Sequence, residues 1–213
     1  MTRCLKIHPE RPDAGVLAEA LAILRGGGVI AYPTETFYGL GADARQQGAV
    51  ERIFRIKGRG FHNPIALIVA SERELIPLAE EPSPAGRILI KAFWPGPLTL
   101  LFRAAPAVLP MLTASTGKIG VRVSSHPVAR LLAAGLSGPL TATSANRTGG
   151  PECTSAAAVL DALGGSLDAV IDGGTTPGGS GSTLLDVTVE PPLILREGAI
   201  PGAKIRDALR HDA

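Results

Sequence analysis

Aromatic side chains are scarce in this sequence: one Trp, two Tyr and five Phe make up 4% of its 213 residues. A platform of several rings on which bases could stack is therefore not expected. Cysteine is scarcer still. Cys4 and Cys153 lie far apart and form no CxxC, which argues against a disulfide framework and against a cysteine-held zinc. Two reduced thiols in a cytosolic protein are the plain expectation. The histidines, His8, His62, His126 and His211, are not paired at metal spacing and HExxH is absent, so no metal site built by the protein is expected. Net charge is also small. Lys and Arg number 21 against 19 Asp and Glu, a formal +2, so any basic patch must be local. No apolar run approaches the roughly 18 residues of a transmembrane helix. The longest, Ile65 to Ala70, suits a buried strand, and the first residues lack the apolar stretch of a signal peptide. A soluble, cytoplasmic protein is expected.

Hydrophobic residues, by contrast, reach 45%, enough for a sizeable core. Glycine (26) and proline (18) are abundant and mark many special backbone positions. With no internal repeat, charge block or polar linker, the chain reads as one domain over residues 1–213.

Periodicity predicts helices after Asp13, over Gln47–Lys57, near Ser71–Ala79 and Ser83–Phe93, and over His126–Ala134, Thr154–Leu163 and Ile200–Arg210. Strands are predicted at Val29–Tyr32, Ile65–Val69, Leu98–Phe102, Ile119–Val123, Leu140–Thr143, Ala169–Ile171, Ser182–Val187 and Leu193–Leu195. The late strands follow one another without helices between them. An α/β fold with a mixed, twisted sheet and flanking helices fits this order. The Gly-rich stretch Gly173–Gly181 lies between two strands and reads as a site loop.

Four segments carry candidate chemistry. Lys57 ends the stripe Val50, Ile53, Phe54 on one helix face. It is either a lysine whose stem covers the core near the helix C-terminus or, with Arg59 beyond Gly58 on an extended exit, half of a cationic clamp for phosphate or carboxylate. Ser144 and Asn146 alternate at a strand end, either as cap and turn residues or as a hydroxyl and amide that bind phosphate or nucleotide. Arg122 shares a strand face with Gly120, opposite Ile119, Val121 and Val123; that face is either solvated or the wall of a cleft. Pro33-Thr34-Glu35-Thr36 follows the first long apolar strand, where α/β proteins commonly place ligand contacts. It is either a turn of hydrogen-bonding threonines or part of a site, with Glu35 a candidate metal or amine partner. Gly39–Ala44 matches GxGxxA but is offset from its strand and lacks the later acidic residue, so dinucleotide binding is not expected. The Gly173–Thr183 stretch lacks the GK[ST] ending of a phosphate loop, although its backbone N–H groups can cradle an anion.

Taken in order, AYPTETFYGLGADA, IFRIKGRGFHNPIALIV, FWPGPLTLLF, GVRVSSHP, TATSANRTGG, DGGTTPGGSGSTLLDVT and ILREGAI resemble the YrdC-like threonylcarbamoyl-AMP synthase family. The resemblance includes the family's KxR and SxN signatures as Lys57/Arg59 and Ser144/Asn146. It implies a mixed sheet around a deep basic cavity that makes L-threonylcarbamoyladenylate from L-threonine, bicarbonate and ATP, releasing pyrophosphate. Partner proteins then move the group to N6 of adenosine 37 in tRNA. By the same resemblance, Lys57, Arg59, Ser144 and Asn146 form the catalytic signature. Arg59, Asn63, Lys118, Ser144 and Arg196 hold ATP, and Thr36, Arg122, Ala142 and Ser182 hold threonine. Mg²⁺ is expected with ATP. Ile68 occupies a position, near the threonine site, where some longer members carry His. The extra C-terminal domain of longer members has no counterpart here, so the chain resembles the short type, and a monomer is expected. Two other readings stay open: a relative that binds double-stranded RNA or tRNA without synthase activity, and a paralogue acting on a different carbamoyl substrate.

Overall fold

The computed structural model describes residues 1–211. Its elements run β1 (Arg3–Lys6), α1 (Ala14–Arg25), β2 (Ile30–Pro33), β3 (Tyr38–Gly41), α2 (Gln47–Lys57), β4 (Ala66–Val69), α3 (Pro84–Phe93), β5 (Leu98–Arg103), α4 (Pro110–Thr113), β6 (Lys118–Val123), α5 (Pro127–Leu136), β7 (Leu140–Ser144), α6 (Ala156–Leu163), β8 (Ala169–Asp172), β9 (Thr183–Asp186), β10 (Leu193–Arg196) and α7 (Gly202–His211). The strands form one ten-stranded sheet in the order β1-β8-β2-β3-β7-β4-β6-β5-β9-β10. Parallel pairs (β1/β8, β2/β8, β4/β6, β5/β9) mix with antiparallel ones (β2/β3, β3/β7, β4/β7, β5/β6, β9/β10).

Local chemistry sets the helix ends. Asp13 caps α1 by accepting from the amides of Gly15 (2.8 Å) and Val16 (3.0 Å). Ser83 and Ser155 cap α3 and α6 in the same way, and Pro84 and Pro127 occupy first turns, where a missing N–H costs nothing. Gly58 ends α2 in the left-handed conformation, φ 62°.

Successive strand residues point to opposite faces, and the core divides accordingly. On one face Ala31, Leu67, Val121 and Val170 join the buried residues of α2, α3 and α6. On the other Ile30, Tyr32, Ile68, Leu140 and Ile171 pack under α1 and α5. Ala142 marks the edge of this second cluster. Beyond it the same face carries Ala66, Thr99, Leu101, Gly120, Arg122 and Leu184, which line a cavity instead of a helix interface.

The structure departs from the sequence reading in several places. The predicted helix over Ser71–Ala79 is a single 3-10 turn, Glu72–Leu75; Pro77 has no N–H with which to continue it. β1, β3 and the one-turn α4 were not predicted. β3 overlaps the GxGxxA stretch, where Gly39 and Gly41 let Tyr32 pack close against the strand: a Cβ at Gly41 would stand 2.9 Å from its ring. No helix among the described residues is long and apolar enough to cross a membrane.

Candidate active site

The cavity encloses about 270 Å³. Its walls come from the β2–β3 turn (Thr34, Thr36), the segment after α2 (Arg59, Pro64), the ends of β4, β5, β6 and β7, and Gly181, Ser182, Leu184 and Arg196 from the last strands and the loop before them.

Lys57 and Arg59 part company at Gly58. Because Gly58 is left-handed, the exit is not extended and the two cations do not form a side-by-side clamp. Lys57 is buried. Its Nζ donates to Ser144 O (2.6 Å), Asn146 O (2.9 Å) and Asn146 Oδ1 (3.2 Å). Burial, with the nearby Arg59 charge, lowers its pKa to about 8. The Ser144 hydroxyl donates to Asn146 Oδ1 (2.6 Å), and Asn146 Nδ2 donates to Gly150 O (2.6 Å). Lys57 therefore ties the Ser144–Asn146 turn to α2, while Ser144 itself lines the cavity.

Arg59 reaches the cavity directly. Its guanidinium lies over the Phe54 ring, 5.5 Å from the centroid, and one terminal nitrogen donates to Pro64 O (3.3 Å). Its Nε is buried without a partner, a donor left unused in the protein itself. Burial lowers the Arg59 pKa, so this cation gains from an anionic ligand.

Arg122 projects from the cavity face of β6, on the side shared with Gly120. Its Nη1 donates to Glu35 Oε1 (3.1 Å). Glu35 Oε2 accepts from the Ser124 hydroxyl, which in turn accepts from the His126 amide (3.2 Å). Glu35 is thus a partner of an arginine and lies outside the residues that line the cavity, while its neighbours Thr34 and Thr36 line it. The two threonine hydroxyls lie 3.1 Å apart, and Thr34 Oγ1 also donates to Phe37 O (2.7 Å). Burial lowers the pKa of His126, with the Glu35 charge opposing the shift.

On the opposite flank Ser182 Oγ pairs with Thr99 Oγ1 (2.9 Å), and Arg196 donates to Ser182 O (2.8 Å). The Gly173–Gly181 loop is fastened to the mouth: Tyr38 Oη donates to Gly174 O (2.6 Å), the Gly178 amide to Thr36 O (2.9 Å) and the Ala199 amide to Gly181 O (2.8 Å).

Of the residues implied by the resemblance, Thr36, Arg59, Arg122, Ala142, Ser144, Ser182 and Arg196 line this one cavity. Lys57 and Asn146 stand behind it. Asn63 and Lys118 are not among its lining residues; Lys118 Nζ is paired with Asp186 Oδ2 at 2.7 Å. Ile68 is wholly buried under α5 rather than on the cavity wall, two residues along β4 from Ala66. Sequence reasoning did not single out Tyr32, Thr99, Leu101 or Glu152 as lining residues. The period-two face of Arg122 and its partner strand β5 carries the signal for Thr99 and Leu101 once the β5/β6 register is known.

Comparison with known proteins places this geometry. Residues 22–198 match the Sua5/YciO/YrdC family model, described as "Telomere recombination". The chain belongs to this family. It is similar to a threonylcarbamoyl-AMP synthase of Pyrococcus abyssi, 39% identical over 200 residues, covering 94% of this chain and 59% of that protein. It thus spans less than two thirds of that relative's length. A putative threonylcarbamoyl-AMP synthase of Mycobacterium tuberculosis is 34% identical over 205 residues, covering 96% of this chain and 94% of that one. Among solved structures, P. abyssi Sua5 in complex with L-threonine superposes with a TM-score of 0.94 at 38% identity, covering 98% of this chain and 61% of that chain.

Proposed function

We propose that this protein makes threonylcarbamoyl-AMP from L-threonine, bicarbonate and ATP, with release of pyrophosphate. The observation that carries the reading is the convergence on one cavity of two different cation sites. Arg122 is a planar, pre-paired guanidinium suited to a carboxylate. Arg59, with its unused Nε, and Arg196 suit phosphates. The relatives' names and the threonine-bound Sua5 structure support the same assignment.

In this reading Arg122 receives the threonine carboxylate, and Thr36, Ala142 and Ser182 enclose the rest of the amino acid. Arg59, Ser144 and Arg196 hold the nucleotide, with Asn63 and Lys118 near its outer end. The amine nitrogen bonds to the carbon of CO₂ and loses a proton, giving a carbamate; from bicarbonate the same bond forms as a C–O bond breaks and water leaves. A carbamate oxygen then attacks the α-phosphorus, and the bond to the β-phosphate oxygen breaks to release pyrophosphate. Arg59 offsets charge building on the phosphates. Lys57 and Asn146 hold the Ser144 turn in register. Catalysis by positioning and electrostatics suffices for such a transfer.

Mg²⁺ would enter with ATP and neutralise phosphate charge. Among the described residues no three His, Cys, Asp or Glu side chains gather to hold a metal ion. A nucleotide-borne Mg²⁺ needs only one or two carboxylates beside phosphate oxygens and water. Glu152 on the cavity lining suits that part. The product would pass to partner proteins for attachment to N6 of adenosine 37 in tRNA, in the cytoplasm, with the synthase acting as a monomer.

The test is pyrophosphate release from ATP and Mg²⁺, with bicarbonate present or absent, and with threonine, serine or no amino acid. Release that requires both bicarbonate and threonine is the expected result. No release, together with RNA binding that weakens steeply with salt, would replace the synthase reading with an RNA-binding one.

A further inference from the structure

Arg122 is the residue on which the proposed threonine site turns, and its orientation is not self-determined. An arginine side chain carries several rotatable bonds and loses considerable rotamer freedom when fixed. Here one nitrogen, Nη1, is held by Glu35 Oε1 at 3.1 Å, and among the described residues this is its sole side-chain hydrogen-bond partner. The two side chains are 12% and 8% exposed, so the pair is screened little by water. Glu35 is itself fixed from a second direction, by the Ser124 hydroxyl on Oε2. Ser124 is anchored in turn by the His126 amide at the start of α5. The result is a bracket: the β2–β3 turn supplies the carboxylate, the end of β6 supplies the hydroxyl, and the guanidinium is gripped at one corner. The remaining N–H groups of its planar fork are left for a ligand.

We propose that Glu35 is a positioning residue for amino-acid recognition, which clamps Arg122 so that its free edge meets the substrate carboxylate. The proposal rests on the reading of Arg122 as the threonine-carboxylate site. It assigns Glu35 no contact with the substrate amine or with a metal. Both carboxylate oxygens are occupied, and Glu35 is not among the cavity-lining residues, whereas Thr34 and Thr36 on either side of it are. A buried ion pair is weak evidence for stability, because desolvation offsets the attraction; its value in this place is geometric.

The experiment compares wild type, Glu35→Ala, Glu35→Gln, Arg122→Ala and the Glu35→Ala/Arg122→Ala double variant. Threonine binding is followed by calorimetry, and threonine KM, ATP KM and kcat by pyrophosphate release. Glu35→Ala should raise the threonine Kd and KM by about tenfold or more, with ATP KM changed less than about twofold, since misplacement of an orienting group is costly. Glu35→Gln, which keeps an acceptor for Nη1, should recover most of that loss. In the double variant the Glu35 change should add almost nothing, because its effect passes through Arg122. Should Glu35→Ala fail to fold, Ser124→Ala releases the other arm of the bracket and should raise threonine KM about threefold, again sparing ATP KM. A wild-type enzyme that depends on threonine but whose threonine KM is unmoved in these variants, or losses that add in full, would overturn the proposal alone. A wild type that neither binds nor uses threonine would overturn the functional reading and this proposal together.

Discussion

The ammonium of Lys57 stands 3.2 Å from the side-chain carbonyl of Asn146, although 89 positions separate the two residues. With the carbonyl oxygens of Ser144 and Asn146 it accounts for all three Nζ protons. The cation thus serves the shape of a turn, while Arg59, two residues on, faces the cavity. Two charges a single residue apart do different work because Gly58 lies between them in the left-handed conformation.

Replacing Lys57 by Ala leaves the backbone carbonyls of Ser144 and Asn146 without its ammonium, while Asn146 Oδ1 keeps only the Ser144 hydroxyl. Each unmet group costs on the order of 1–3 kcal/mol. Denaturant unfolding should therefore show a clear loss of stability, and turnover should fall along with it. Asn146→Ala should share part of both losses, because it removes the acceptor common to Lys57 and Ser144. A Lys57→Ala protein of unchanged midpoint and activity would refute the tie.

The same group predicts a pH dependence. Burial, reinforced by Arg59, lowers the Lys57 pKa to about 8 from its ordinary 10.5. Between those values the unfolded chain binds more protons than the folded one, so the Lys57 contribution to stability rises with pH across that window and is flat below it. Activity should move the opposite way, declining above about pH 8 as the three-donor ammonium is lost. Lys57→Met should lack both effects when stability and kcat are profiled from pH 6.5 to 10.5.

Arg59 and Lys118 separate a free cation from a neutralised one. Arg59→Ala should lower kcat/KM for ATP by roughly 10²–10³-fold, the usual cost of a transition-state charge donor. Lys118→Ala should cost less than about tenfold, since its charge is spent on Asp186 at 2.7 Å. Steady-state kinetics in ATP distinguishes them; equal losses would refute the contrast.

Gly198 has no room for a side chain. A Cβ there would fall on Gly181 O and within 2.6 Å of the Ser182 carbonyl carbon, both backbone atoms. Gly198→Ala should shift the Gly181–Ser182 segment, raise threonine KM and lower the unfolding midpoint. Unaltered threonine KM with a normal melting curve would show that this contact yields without consequence.

Much of the fold was legible because its buried strands and amphipathic helices announce themselves by period. Gln47–Lys57 was read to the residue, since Val50, Ile53 and Phe54 share a stripe and Gly58 stops it. The alternation around Arg122 likewise identified its face. β1 escaped because only Leu5 of its four residues is buried, and β3 because Tyr38-Gly39-Leu40-Gly41 looks like turn chemistry. In the site, the residue types were legible and their partnerships were not. Glu35 could be seen as a carboxylate beside a strand end, but its pairing with Arg122 depends on strand order. The sequence leaves Lys57 either covering the core at the helix end or clamping an anion with Arg59, and its tie to the Ser144–Asn146 turn depends on tertiary contacts that no local pattern reports. The ordered motifs supplied what periodicity lacked, since they point to the family directly.

The sheet order has a consequence for how the protein is made. Arg59 and Arg122 precede β9 and β10, which carry Leu184 and Arg196; β9 docks in parallel on β5, and β10 pairs antiparallel with β9. Until they emerge from the ribosome, the basic cleft has only one bank and β5 keeps an unpaired edge. The second bank of the cavity is therefore supplied by strands that follow every other lining segment in the sequence.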